Sequence, residues 1–187
     1  MLKQKARVIG FDDGFFIPKT QGTAPLIGLI QRIDGRVEGC LATQASIDGL
    51  DSTNKIISIL SKSRFRKQVK AVMLSGINFA GFNIVDVKKL HSSLKLPIII
   101  VFRKKPSLER IFNALKQFKD SGKRIKLIKA GGRIFKGNAY YYQCIGIQEK
   151  EAMLLIKRNQ MHSIMPECLR LAHIIASAVS RGESTVA

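Results

Sequence analysis

Arg7-Val8-Ile9-Gly10-Phe11-Asp12-Asp13-Gly14 is a short apolar run closed by two acids and a glycine. Residues 7–11 read as a buried strand, and Asp-Asp-Gly as the turn signal that ends it. Working outward, residues 15–22 hold Pro18 and Gly22 and read as a loop. Residues 23–31 are apolar and strand-like, Asp34-Gly35 is a hairpin turn signal, and 36–42 returns as the next strand. The chain therefore opens with a three-stranded antiparallel meander.

The rhythm then changes. Residues 52–61 place Ile56, Ile57, Ile59 and Leu60 at helical spacing, with Asp51 or Ser52 as cap. Residues 69–74 read as a buried strand, 84–94 as a helix, and Pro97 precedes the strand 98–102, Ile-Ile-Ile-Val-Phe. Residues 107–118 form an amphipathic helix capped by Ser107. Residues 124–128 and 140–147 read as strands. Residues 150–158 read as a helix, and 167–180 as a long one opened by Pro166. Alternation after a meander predicts a single α/β domain over 1–187, a mixed sheet with a parallel half covered by helices.

Lys and Arg total 32 against 13 Asp and Glu, a formal charge of +19. Such a charge repels itself in a compact fold, and a polyanion relieves it. Nucleic acid, DNA or RNA, is the partner this predicts, since neutralising phosphates releases counterions. A charge-rich thermostable surface explains the excess less well, because ion-pair networks need both signs. Basic residues cluster at 62–70, at Arg103-Lys104-Lys105, and across 116–136, where Lys126, Lys129 and Arg133 sit among eight cations opposed only by Asp120. Tyr140-Tyr141-Tyr142 offers rings for base stacking, with at least one expected in the core. No apolar run reaches membrane-spanning length. The basic start at Met1 carries too short an apolar run for a signal peptide. Cys40, Cys144 and Cys168 are odd in number and far apart, which suggests neither disulfides nor zinc and fits a cytoplasmic setting.

Several chemistries are excluded by pattern. There is no Gly-rich run ending in Gly-Lys-Ser/Thr, no Gly-x-Gly-x-x-Gly and no nucleophile elbow. Gly131-Gly132 reads as a turn. Asp12-Asp13, at the end of a strand, can hold a hard cation such as magnesium; the plainer reading is a turn with a solvated aspartate. Asp48, Asp51 and Asp86 stand near helix starts, where N-capping is the first expectation.

Met165-Pro166-Glu167-Cys168-Leu169-Arg170-Leu171-Ala172-His173 resembles the C-terminal motif of endonuclease V. Val8-Ile9-Gly10-Phe11-Asp12 resembles that family's first-strand motif, and Leu96-Pro97-Ile98 through Arg103 the strand ending in its active-site Lys. The run Leu74-Ser75-Gly76-Ile77-Asn78-Phe79-Ala80-Gly81-Phe82-Asn83-Ile84-Val85-Asp86 is similar to a mainly archaeal family of endonuclease V homologues. The resemblance implies a ribonuclease-H-like three-layer fold and cleavage near deaminated bases with magnesium, or manganese as a substitute. It assigns Asp12 as first metal ligand, His173 as the functional histidine, and Asp51 loosely as the family's Glu. Asp13 and Asp86 are the expected replacement ligands, and Arg170 joins the nucleic-acid contacts. Ser75 stands where the second metal-binding Asp is found, and Arg103 where the Lys is. Residues 45–48 lack the aromatic and prolines of the strand-separating wedge. The expectation is a nucleic-acid-binding protein, either a divergent magnesium-dependent nuclease or a binding module or interaction subunit that has lost catalysis.

Overall fold

The computed structural model describes residues 6–184; the basic stretch 1–5 lies outside the described residues. The meander is β1 (Arg7–Asp13), β2 (Thr23–Arg32) and β3 (Val37–Ser46). Next come α1 (Ser52–Lys62), β4 (Val69–Ser75), the small hairpin β5 (Asn78–Phe79) and β6 (Asn83–Ile84), α2 (Val87–Leu94) and β7 (Ile98–Phe102). The chain continues with α3 (Leu108–Leu115), α4 (Ser121–Ala130), β8 (Phe135–Lys136), β9 (Tyr141–Ile145), α5 (Glu149–Asn159) and α6 (Glu167–Arg181).

Seven strands form one sheet in the order β3-β2-β1-β4-β7-β9-β8. β1 pairs antiparallel with β2 and parallel with β4, and β4 pairs parallel with β7. β9 returns antiparallel to β7. The C-terminal ends of β1, β4 and β7 therefore lie at one edge, the place where sheets of this kind bind ligands.

Alternation along β1 decides what each residue meets. Ile9 and Phe11 enter one core with Ile56, Leu60, Leu90 and Leu94 of α1 and α2. Val8 enters the other core, with Ala152 and Ile156 of α5 and Cys168, Leu169 and Ala172 of α6. On that second face Gly10 lies so close to α6 that an added Cβ would stand 2.8 Å from the Cys168 backbone. The same two-residue step carries Asp12 toward α6 one turn further along.

Two assignments from the sequence change. Residues 124–128 are helical, inside α4, because Ile125 and Ile128 pack as neighbouring helical positions against the first core. The helix expected from residue 84 starts at Val87; Asn83 and Ile84 instead close a hairpin whose turn, Ala80-Gly81, has φ of 44° and 84°. Among the described residues no helix is long and apolar enough to cross a membrane.

Candidate functional site

At the C-terminal edge of β1, β4 and β7 is an open cavity of about 430 Å³, lined by Asp12, Asp13, Ser75, Arg103 and His173, with Phe15, Phe16, Ser177 and Arg181 also on its walls. The wall residues come from four parts of the chain: β1 with the loop after it, the end of β4, the residue after β7, and α6. Asp12 and Asp13 end β1. Leu74 pairs with Phe11, so Ser75 stands beside Asp12. Arg103 follows directly on β7, and His173 occupies the middle of α6.

Asp12 is buried, with 7% exposure. Its Oδ1 accepts the Asp13 N–H at 3.0 Å, and its Oδ2 lies 3.1 Å from His173 Nδ1. With the proton assigned to Nδ1, the imidazole donates to Asp12. That hydrogen bond raises the His173 pKa, against the pull of burial and of Arg103. The Asp13 side chain turns to the opposite face of β1, where Oδ2 accepts the Ala80 N–H at 2.6 Å. Its pKa is pushed up to about 7, first by burial and then by the negative charge of Asp12; the Ala80 hydrogen bond and His173 act the other way.

The other acids are employed elsewhere. Asp86 caps α2, accepting the Lys89 N–H at 2.9 Å. Asp48 accepts the Phe82 N–H at 2.8 Å. Asp51 stands at the N-cap of α1 without capping it. Its carboxylate accepts Ser46 N–H at 3.1 Å, Ser46 Oγ–H at 2.9 Å and Asn83 Nδ2–H at 2.6 Å. These bonds tie β3 to β6. The expected convergence of Asp12, Asp13, Asp51 and Asp86 is thus corrected: Asp51 and Asp86 are structural acceptors. Among the described residues no three His, Cys, Asp or Glu side chains are grouped to share a metal ion.

Burial works to raise the Asp51 pKa, but hydrogen bonds from Asn83 and Ser46 outweigh it and hold the carboxyl below its ordinary value. A depressed folded-state pKa stabilises above the ordinary value and loses that contribution as pH falls through the folded one. Asp51→Ala is therefore expected to lose about 2 kcal/mol at pH 7. In urea unfolding the gap to the parent should narrow on going to pH 3; a gap independent of pH would contradict the ionised role.

The cations divide into two groups. Arg103, Lys104, Lys105, Lys126, Lys129 and Arg133 are exposed. A Cβ added to Gly131, after α4, would come within 3.1 Å of Ile77, two residues beyond Ser75. Arg170 is held by Glu167 instead, in a bidentate pair at 2.8 and 2.6 Å. Tyr140 and Tyr142 are core residues at 4% and 1% exposure, so the expected stacking platform is not built from them. Ser177 and Arg181 went unnoticed in the sequence. Their spacing of four and eight residues from His173 places them on the same helical face, a signal that could have revealed them.

Comparison with known proteins places the chain in a family. A family model described as endonuclease dU matches residues 4–180. The chain belongs to the endonuclease dU family. This family member is 46% identical over 188 residues to a UPF0215 protein of Pyrococcus furiosus, across 98% of this chain and 97% of that protein. A crystal structure of an Archaeoglobus fulgidus protein superposes with TM-score 0.88 at 35% identity, covering 94% of this chain and 98% of that one. Human ENDOV matches with TM-score 0.60 at 14% identity, over 91% of this chain and 82% of that one. Bacillus subtilis endonuclease V matches with TM-score 0.62 at 12% identity, over 94% and 81%. These likenesses show a ribonuclease-H-like fold.

In this endonuclease dU family member the walls carry two carboxylates, the hydroxyls of Ser75 and Ser177, and the His173 imidazole. Magnesium commonly takes one or two carboxylates and completes its shell with water and substrate phosphate. The donors present are of the kind that a magnesium site completed by substrate takes.

Proposed function

We propose that this member of the endonuclease dU family is a magnesium-dependent nuclease that cuts phosphodiester bonds at the Asp12–His173 pocket. The observation that carries the reading is the buried Asp12 carboxylate bonded to His173 of α6, beside Asp13, at the sheet edge where Arg103 follows β7. Bound magnesium, or manganese in its place, would supply an activated water and offset charge on the phosphate. Asp12 and Asp13 would hold it. His173, whose pKa the hydrogen bond to Asp12 raises, offsets the charge of a phosphate in the pocket when protonated. Arg103 reaches the same phosphate from β7. Lys104, Lys105, Lys126, Lys129 and Arg133 track the flanking backbone and make affinity fall steeply with salt. The family's description names dU, so DNA carrying deoxyuridine is the first substrate to try, with inosine-bearing DNA and RNA beside it. The three cysteines are free, which suits a reducing, cytoplasmic setting.

Ser75 favours a second reading, a nucleic-acid-binding module or interaction subunit without catalysis, because a hydroxyl is a weaker ligand for magnesium than an anionic oxygen. A cleavage assay separates the two. Strand scission at the deaminated base, restored by magnesium or manganese and lost in EDTA, is the expected result. Salt-sensitive binding with no scission under any of these conditions would favour the module.

A further inference from the structure

The rim of the pocket carries an aromatic ring that the proposed chemistry does not use. Phe15 is 47% exposed, yet its backbone is fixed. Its N–H donates to Ser180 Oγ at 2.8 Å, and the Gly14 N–H donates to Pro25 O at 2.8 Å. Gly14 also presses on α6 so closely that a Cβ there would lie 2.6 Å from Ala176 O. The start of the loop thus cannot swing away, and the ring is held outward beside Asp12 and Asp13. The Arg181 guanidinium carbon stands 4.1 Å from the Phe15 ring centroid. A planar cation over the ring shows that its face accepts a flat partner.

We propose that Phe15 and Arg181 form a nucleotide subsite at the pocket rim, in which the ring stacks on an unpaired base and the guanidinium takes the adjoining phosphate. This rests on the nucleic-acid reading of the same pocket. A single exposed apolar residue is ordinary on a protein surface. A pinned ring sharing a cavity with acids and arginines is a different case, because an apolar protein side chain docking there would have to desolvate those charges. A nucleotide matches both halves of the feature: every base has a π face, and its phosphate pairs with arginine. Within a duplex that face is occupied by neighbouring bases, so the subsite selects single strands or splayed nucleotides next to the scissile bond.

The chain contains no tryptophan, so Phe15→Trp installs a single fluorophore at the subsite. In EDTA, where binding is read without cleavage, a single-stranded oligodeoxynucleotide should quench its emission along the same curve that anisotropy gives for binding. A matched duplex should quench it less. Ile164→Trp, exposed and before the far end of α6, should report no quenching. Phe15→Ala should weaken single-strand binding about tenfold while duplex affinity holds. Emission unchanged at saturating oligonucleotide, or equal weakening for both strand forms, overturns the subsite. Quenching without any scission in the metal-containing assay leaves the subsite standing and removes the nuclease reading. Oligonucleotides that do not bind at all remove both.

Discussion

Asp12→Ala is expected to cut strand scission by more than about a hundredfold, while binding in EDTA is retained. Losing an outer-shell partner of a metal site costs 10–100-fold, and Asp12 is assigned as a ligand itself as well as the partner of His173, so its loss should exceed that range. A second readout is independent of activity. In metal-free protein the His173 pKa stands raised because Asp12 accepts its Nδ1–H. In Asp12→Ala the two opposing influences, burial and Arg103, remain, and an NMR titration of the imidazole should move to lower pH. Stability is expected to change little or to rise, since removing Asp12 also removes the repulsion that helps push Asp13 up to about 7. Full scission by Asp12→Ala would remove Asp12 from the chemistry. An unmoved His173 titration would remove the hydrogen bond as the cause of its shift.

How much of this was legible before folding depends on how far apart the partners are. β1 could be read from its apolar run and its closing acids, and alternation alone then sends Asp12 and Asp13 to opposite faces. Ser75 was singled out by the resemblance, one residue beyond the expected strand 69–74, and it closes β4. The meeting of Asp12 with His173 spans 161 residues, and no local pattern carries it. Only the resemblance to endonuclease V linked the two. Asp51 misled because an acid before a helix resembles a cap or a ligand. Its true partners, Ser46 and Asn83, were brought to it by the β3 edge and by a hairpin too short to leave a periodic signal. Phe15 was hidden for the opposite reason: loop residues show no periodicity, and what makes this one notable is the close packing of Gly14 on α6.

α4 is the clearest failure of local reading, and Arg124 explains it. Arg-Ile-Lys-Leu alternates polar with apolar, as a strand does, because Arg124 is counted as a surface cation. In the fold it is 5% exposed. Its Nε donates to Asp120 at 2.7 Å, and Nη1 donates to the carbonyls of Gly49 at 3.1 Å and Phe82 at 2.6 Å. The guanidinium carbon lies 4.4 Å from the Phe118 ring centroid. Arg124→Met keeps the apolar stem but strands both carbonyls, and should cost about 3 kcal/mol in urea unfolding. Arg124→Lys should recover only part, since an ammonium cannot reproduce the planar fork. Asp120→Ala should cost less than about 1 kcal/mol, because that carboxylate is 38% exposed and solvent takes its place. The asymmetry between the two partners is the decisive comparison. If both substitutions cost the same, the ion pair carries the energy. If only the arginine matters, its bonds to the two carbonyls fix α4 against the loops beside α1 and β6.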